Sequence, residues 1–167
     1  MGVGFFMSTG QYVDTFVFNN FIKMSYTYDY PHFALTVDAV LFSIADACLN
    51  VLLIRRAHEP FKNRWAFPGG YVNIDEVADN AVHRELEEET NISNVTLKRF
   101  DIFDAIDRDP RERTVSVVYY GFMNGSNELF KAGDDAKDAK WLPVNKLPEL
   151  AFDHSIILKK ILEEVQK

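Results

Sequence analysis

The sequence predicts an α/β fold, an α/β/α sandwich around a mixed β-sheet. Runs of apolar, β-branched and aromatic residues that are typical of strands lie on both sides of one long helix-like segment, and a second such segment closes the chain. The length of 167 residues and the apolar content of 47% fit one domain with a sizeable core. We assign residues 32–167 to this domain and residues 1–31 to a separate N-terminal segment.

The N-terminal segment is rich in aromatic residues: nine of them lie between Phe5 and Tyr30, without clean alternation. If the segment is ordered, these rings must be buried against the flank of the domain, a partner subunit or a substrate base. We favour packing over base recognition, and a homodimer formed through this segment is one form that such packing would take.

The domain opens with two strand patterns, residues 33–44 and 49–56. The turn around Ala45–Ala47 predicts that these two strands form a hairpin. The second strand ends in Arg55 and Arg56, and because strand side chains alternate, one arginine should point inward and the other outward.

A short strand, residues 65–67, then leads into the turn Pro68–Gly70. The two glycines of this turn let the backbone pass close to other groups, and they free the Gly70 carbonyl to act as a ligand. A plain tight turn is the other interpretation, and the two are compatible.

The long helix-like segment follows. Asp75 is a suitable N-cap, and Glu76 in the first turn suits the helix dipole. Asn91 follows the helix, and asparagine tolerates the left-handed backbone geometry in which helices often end. The apolar stripe of this helix consists of Ala78, Ala81 and Val82, with Val77 and Leu86 at its margins.

The second half of the domain predicts strands over residues 95–105, 114–123 and 139–143, and a closing helix that begins at the cap residue Asp153 and ends near Gln166. The charged loop 107–113 is either a solvated hairpin loop or a phosphate-binding loop, because guanidinium groups pair with phosphates through two hydrogen bonds. The arginines of this loop are Arg108, Arg111 and Arg113.

The last turns of the long helix carry Glu85, Glu88 and Glu89 at positions i, i+3 and i+4, so that their carboxylates gather on one face. Like charges at this spacing repel, and a cluster at the edge of the core needs cations to stay ionised. Oxygen ligands select hard cations, namely magnesium, manganese or calcium. A solvated acidic face is the alternative interpretation of the three glutamates.

The spacing around these glutamates resembles the Nudix box, the signature of hydrolases that cleave nucleoside diphosphates linked to another moiety. Seven positions match in order, and Asn91 stands where the family has glycine. The matching residues are Gly70, Glu76, Arg84, Glu85, Leu86, Glu88 and Glu89.

This resemblance implies a Nudix-type sandwich and a site that binds Mg²⁺ or Mn²⁺ through Glu85, Glu88, Glu89 and the Gly70 carbonyl. It implies that Arg84 holds a ligand carboxylate in place. Glu76 is structural or supports the ligands. The residue that takes the proton from the attacking water stays open, because branches of the family differ.

Outside the box, the chain is similar to the ADP-ribose pyrophosphatase branch, which implies cleavage of ADP-ribose to AMP and ribose 5-phosphate. Arg56, Arg108, Arg113 and His154 are the candidate substrate-binding residues; for His154, reaching the pocket and capping or packing are equal alternatives. The same branch includes ADP-ribose-sensing repressors with a winged helix after the Nudix domain. We expect no winged helix here, and we keep a non-catalytic sensor acting through a partner as the alternative function.

The composition limits the other classes of function. A formal charge of −7 disfavours general binding to nucleic acid or to anionic membranes. Cys48 is the only cysteine, so no internal disulfide forms, and we expect it to pack as a small apolar residue. No apolar run reaches the ~18 residues of a membrane span, and the N-terminus has no signal-peptide pattern, so we expect a cytoplasmic protein whose partner is a small nucleotide.

Overall fold

The computed structural model describes residues 12–18, 22–45, 47–123 and 136–165. The chain divides into two compact units, within Met1–Phe33 and within Ala34–Lys167. In the first unit, strands β1 (Tyr12–Phe18) and β2 (Ile22–Tyr28) pair antiparallel in a sheet of their own. The side chains before residue 27 lie outside the described part of the chain, so the packing of most N-terminal aromatics stays a prediction.

The second unit contains the predicted strands and helices, with shifted ends. The hairpin after residue 45 is confirmed by the pairing of Ala45 with Cys48, while Asp46 in its turn lies outside the described residues. The elements are β3 (Ala34–Ala45), β4 (Cys48–Arg56), β5 (Trp65–Ala66), β6 (Gly69–Tyr71), α1 (Ala78–Thr90), β7 (Lys98–Phe103), β8 (Thr114–Met123), β9 (Ala136–Pro143) and α2 (His154–Val165).

The sheet of this unit is mixed. Strand β3 pairs parallel with β8, whereas the other pairs of strands in the sheet are antiparallel among the described residues. Strands β3 and β4 pair only near their hairpin, from Phe42 to Val51. Beyond the hairpin, the edge of β3 that faces β4 pairs with β6, and the edge of β4 that faces β3 pairs with β5. The two hairpin strands therefore diverge.

Each face of the sheet is covered by one helix. The side chains of β3 alternate between the two faces: Val37, Ala39 and Leu41 belong to the core under α1. Val40 and Phe42 belong to the core under α2. Because both cores are closed by a helix, the predicted α/β/α sandwich is confirmed.

Helix α1 starts later than the sequence suggested. Its N-cap is Val77, without a side-chain capping bond, so the cap predicted at Asp75 is wrong. Glu76 is not in the first turn either, because its carboxylate accepts the Asn73 N–H at 2.8 Å and binds Arg84 instead. The predicted end is confirmed: Asn91 has φ 57° and ψ 20°, the left-handed geometry.

Two smaller expectations need correction, and a third is refined. The stretch after Pro68 is not a plain turn, since Gly69–Tyr71 pairs with β3 as a strand. Cys48 is exposed and does not pack in the core. Asp153 directly precedes α2, and its carbonyl accepts the Ile157 N–H as an N-cap residue does, while its carboxylate pairs with Arg108. Neither described helix has the length and the apolar run that a membrane crossing requires.

The left-handed geometry of Asn91 can be tested by substitution. Asn91→Val should lower the free energy of unfolding by roughly 1 kcal/mol or more, because a β-branched side chain strains this backbone geometry, whereas Asn91→Gly should be tolerated. Urea unfolding of the two variants and the parent measures the difference. Equal stabilities for the valine variant and the parent would contradict the role of Asn91.

Candidate active site

A cavity opens where β3 and β4 diverge. Its walls come from both strands, from β5 and β6, from the loop after β7 and from the residues before α2. Four of the residues predicted from the sequence line it, namely Arg56, Gly70, Arg108 and His154. A larger, mostly apolar groove lies along α2 between Leu147 and Glu163, but none of the predicted site residues lines that groove.

Helix α1 contacts the part of the cavity wall formed by Gly69 and Gly70 through Glu85 and Glu89. A β-carbon on Gly70 would lie 2.5 Å from the Glu85 carboxylate, so glycine is what allows Glu85 to lie against the strand. In the β3–β6 ladder, Gly69 is opposite Asp38 in a pair that exchanges no main-chain hydrogen bonds. The Gly69 N–H donates instead to Glu89 Oε2 at 2.9 Å. Two of the three glutamates of the acidic face are therefore fixed against the main chain of β6.

Arg84 binds three carboxylates. Its guanidinium donates to Glu76 through Nε and Nη2, to Glu85 Oε1 at 2.7 Å and to Glu88 Oε2 at 3.1 Å. Nη2 also donates to the Tyr71 carbonyl at 3.1 Å, which ties the helix to the end of β6. The hydrogen bonds that the guanidinium donates to Glu76 raise the pKa of Arg84, so the guanidinium stays charged.

The acidic face suits a hard divalent cation by its chemistry. Burial raises the pKa of the Glu85 carboxyl, against the opposing effect of Arg84, and a nearby cation would favour the ionised form. Its neighbours Glu88 and Glu89 add further oxygen donors, as does the main chain of Gly70. In the described part of the chain, no three histidine, cysteine or acidic side chains converge closely enough to hold a metal ion.

Another part of the cavity wall is basic and aromatic. The Arg56 guanidinium lies 4.7 Å from the centroid of the Phe152 ring, and Arg111 lies 5.7 Å from the same ring. Arg111 also lies 5.4 Å from the ring of Tyr71. Its charge is balanced by Asp109, which it binds with Nε and Nη2 at distances down to 2.7 Å.

A buried polar network lies beneath the cavity. Asp38 accepts the Ser116 hydroxyl at 2.5 Å and lies 3.6 Å from Arg108, which binds Asp153 with two hydrogen bonds. The ring of His154 stacks on the ring of Phe67, and its Nδ1 accepts the main-chain N–H of Phe67 at 2.9 Å. In the neutral ring the proton is therefore on Nε2, which lies 3.4 Å from Asp38. Burial lowers the pKa of His154. The two alternatives for His154 therefore coexist, since it packs and also lines the cavity.

Two of the predicted substrate-binding residues are placed differently from what the sequence suggested. Arg108 is 8% exposed and engaged with Asp153, so little of it is free for a ligand. Arg113 does not line the cavity, because its guanidinium donates to the carbonyls of Ala105 and Thr114. The geometry favours Arg111 for this role.

Sequence reasoning missed three residues of the cavity, namely Asp38, Arg111 and Phe152. Asp38 gave a signal, because it is a charged residue inside an apolar strand run that is otherwise buried. Arg111 is one of three arginines in the loop, and nothing in the sequence of the loop indicates which of them lines the cavity. Phe152 stands in the stretch Ala151–His154, which is similar to the ADP-ribose pyrophosphatase branch, but we assigned a role only to His154, since aromatic residues before a helix are ordinary core residues.

The comparison with protein families finds a NUDIX domain over residues 32–165. An ADP-ribose pyrophosphatase of Methanocaldococcus jannaschii is 39% identical over 130 residues, which cover 78% of this chain and 73% of the relative. The ADPR responsive transcriptional repressor NtrR of Acinetobacter baylyi is 33% identical over 140 residues. That match covers 79% of this chain but only 54% of the repressor, so the chain spans about half of the repressor's length.

Solved structures agree with the fold. The NUDIX domain of Shewanella oneidensis NrtR, crystallised with ADP ribose, has a TM-score of 0.75 and 32% identity, with 81% of this chain and 90% of that chain covered. A bifunctional NMN adenylyltransferase/ADP ribose pyrophosphatase of Francisella tularensis, complexed with AMP and a Mn ion, has a TM-score of 0.68 and 34% identity. There, 81% of this chain and 42% of that chain are covered.

The Arg84–Glu76 contact predicts a pH dependence of stability. Hydrogen bonds from Arg84 lower the pKa of Glu76 in the folded state, so the contact stabilises the fold above the unfolded pKa of about 4.3, and this contribution is lost as the pH falls through the folded pKa. Glu76→Gln should therefore be less stable than the parent at neutral pH, and the gap should shrink in acid.

Urea unfolding at neutral pH and near pH 3 measures this gap. Glu87→Gln, which changes an exposed glutamate of the same helix, is the matched control. A gap for Glu76→Gln that is the same at both pH values would show that the contact does not perturb Glu76.

Proposed function

Because the chain belongs to the Nudix family and is a Nudix hydrolase, we propose that its substrate is ADP-ribose and that it needs Mg²⁺ or Mn²⁺. Water would attack one phosphorus of the diphosphate, and the products would be AMP and ribose 5-phosphate. The atoms balance, since one P–O bond of the diphosphate is broken and the elements of one water are shared between the two products.

The observation that carries this proposal is the placement of the acidic face beside a basic wall. Glu85 and Glu89 lie against Gly70 and Gly69, which line the cavity, and Arg56 lines the same cavity. A diphosphate needs both kinds of group, because its charge must be balanced by cations and its position fixed by hydrogen-bond donors. The named activity of the Methanocaldococcus relative and the ADP ribose bound by the Shewanella domain support the choice of substrate.

In this proposal Glu85, Glu88, Glu89 and the Gly70 carbonyl would hold the divalent ion. Such an ion, when bound, neutralises diphosphate charge and lowers the pKa of a bound water. Arg84 orients the carboxylates of Glu85 and Glu88 by direct hydrogen bonds. The Mn ion in the Francisella structure supports a divalent metal.

A sensor of ADP-ribose is the second candidate, favoured by the likeness to the Acinetobacter repressor. The acidic face favours the enzyme. Binding alone does not require three glutamates at mutually repelling positions, and a single guanidinium, that of Arg84, cannot neutralise all the carboxylates around it.

The first test is direct. Purified protein with magnesium or manganese should convert ADP-ribose to AMP and ribose 5-phosphate, and a chelator should stop the reaction. Chromatography of the products, with NADH, nucleoside triphosphates and sugar nucleotides assayed in parallel, identifies the substrate. Tight binding of ADP-ribose without AMP formation, across several divalent metals, would support the sensor instead. Cleavage of another nucleotide in its place would keep the reaction type and overturn only the substrate.

The glutamates can be tested separately. Glu88→Gln and Glu89→Gln should each lower kcat at least ~10-fold, because even partners that merely support metal ligands are worth 10–100-fold. The metal-free melting temperature should stay equal or rise slightly, because Glu88 is 60% exposed and the change removes like-charge repulsion. Glu87→Gln, on the exposed side of the helix, is the control that should leave turnover unchanged. Full magnesium-dependent turnover in either variant would exclude that glutamate from the site.

A further inference from the structure

His154, the first residue of α2, is bound to the segment that joins β5 to β6. The residue is 3% exposed, and its ring stacks on the ring of Phe67, with the centroids 4.6 Å apart and the planes 10° from parallel. Its Nδ1 accepts the main-chain N–H of Phe67 at 2.9 Å, across 87 residues of sequence. One side chain therefore fixes the start of α2 to this segment, both by packing and by a directional bond.

The Phe67 N–H belongs to neither of the neighbouring strand ladders, because Phe67 lies between β5 and β6. The segment before α2 runs parallel to Trp65, whose carbonyl accepts the Ala151 N–H at 2.8 Å. In a continued parallel ladder the Phe67 N–H would donate to the Ala151 carbonyl. Here it donates to the imidazole of His154 instead, and the Ala151 carbonyl accepts the main-chain N–H of His154 at 3.2 Å. A buried N–H needs an acceptor, and this side chain supplies it.

The segment that His154 holds leads directly into the acidic face. Two residues after Phe67, the Gly69 N–H donates to Glu89 Oε2 at 2.9 Å. At Gly70, the next residue, a β-carbon would lie 2.5 Å from the Glu85 carboxylate. The single residue between Phe67 and Gly69 is a proline, whose ring fixes φ, so a displacement of Phe67 is passed on to the glycines.

Asp38 determines which nitrogen of the His154 ring accepts a hydrogen bond. Nε2 lies 3.4 Å from Asp38 Oδ1, and a carboxylate in this place favours the tautomer with the proton on Nε2. Asp38 is itself fixed, because its other oxygen accepts the Ser116 hydroxyl at 2.5 Å. Burial lowers the pKa of His154, so the ring is neutral at pH 7 and Nδ1 is able to accept the Phe67 N–H.

We propose that His154 is a positioning residue of the active site: by accepting the Phe67 N–H it holds the main chain of residues 67–70 against α1, so that the acidic face keeps the geometry that a divalent cation needs. In this role His154 acts on the protein's own backbone and not on the substrate. The role rests on the proposed function in one respect, namely that the acidic face binds a divalent ion. It makes a residue of α2, on the other face of the sheet, a determinant of that site.

Two substitutions separate the hydrogen bond from the packing. His154→Phe keeps an aromatic ring that can stack on Phe67, but it has no acceptor for the N–H. His154→Asn loses the ring but keeps an oxygen acceptor on its γ-carbon, where the imidazole carries Nδ1. If the hydrogen bond positions the segment, the asparagine variant should stay closer to the parent than the phenylalanine variant does. If packing alone matters, the order is reversed.

The first measurement is the binding of Mn²⁺ to the metal-free full chain without substrate, followed by electron paramagnetic resonance of the unbound ion. His154→Phe should raise the dissociation constant for Mn²⁺ by ~10-fold or more, as the loss of a partner that supports metal ligands does. His154→Asn should raise it less. Circular dichroism shows whether each variant is folded, and in a folded variant a lower melting temperature alone leaves this constant unchanged.

The second measurement needs no metal. Amide hydrogen exchange, followed by nuclear magnetic resonance, should show a less protected Gly69 N–H in His154→Phe than in the parent, because the bond to Glu89 depends on the position of the segment. His58→Phe makes the same change at an exposed histidine of the loop after β4. This control should match the parent in both measurements.

The inference is overturned if folded His154→Phe binds Mn²⁺ and protects the Gly69 N–H as the parent does, if His154→Asn is the more impaired of the two variants, or if the parent binds no Mn²⁺. These outcomes are distinguishable from the failure of the proposed function. Mn²⁺ binding that depends on His154, without hydrolysis of ADP-ribose, would keep the positioning role and reject the proposed function. Hydrolysis of ADP-ribose together with Mn²⁺ binding that is independent of His154 would do the reverse.

Discussion

The close approach of helix α1 to strand β6 is the constraint on which the rest of the site depends. A β-carbon on Gly69 would lie 2.2 Å from the Val37 carbonyl oxygen, so any side chain there would separate β6 from β3. A β-carbon on Gly70 would displace the Glu85 carboxylate. With glycine at both positions, the main chain itself contacts the glutamates, and the Gly69 N–H reaches Glu89. The acidic face is thus located by the sheet and not by flexible side chains, which gives it the fixed geometry that a catalytic site requires.

Both acidic and basic residues surround the cavity, although the chain as a whole is acidic. On the α1 side, one guanidinium serves Glu76, Glu85 and Glu88, so negative charge remains after Arg84 is counted. Arg56, which also lines the cavity, forms no salt bridge in the described chain, although the charges of Glu89 and Asp109 raise its pKa against the effect of burial. A ligand that combines a divalent cation with a diphosphate would complement both kinds of residue at once, and neither part alone would do so. This arrangement explains how a protein with a net charge of −7 can accept an anionic substrate.

The sequence predicted most of the fold because periodicity reports which face of an element is buried. It also predicted the end of α1, because few residues other than asparagine and glycine tolerate the geometry found at Asn91. It failed at the start of α1, where Asp75 has the right chemistry for a cap. There, tertiary contacts decide the local structure, since Glu76 is held by the Asn73 N–H and by Arg84. It also could not rank the arginines of the charged loop, because Arg111 is selected by contacts with Tyr71 and Phe152, both about forty residues away in the sequence.

The buried polar network beneath the cavity places charged residues in the core, and its role is to position neighbouring segments. Breaking a buried ion pair is costly, yet well-packed apolar residues in its place are often as stable, so stability alone does not explain the pairing of Arg108 with Asp153 and Asp38. What the network provides is a connection between separate elements: Asp38 is on β3, Ser116 is on β8, and Asp153 precedes α2. Arg108 joins them from the charged loop, three residues before Arg111. Hydrogen bonds between fixed partners define one position for that loop, which apolar contacts do not, because they are non-directional. The same network therefore positions both the loop and the start of α2, the two segments that supply Arg111 and Phe152 to the cavity.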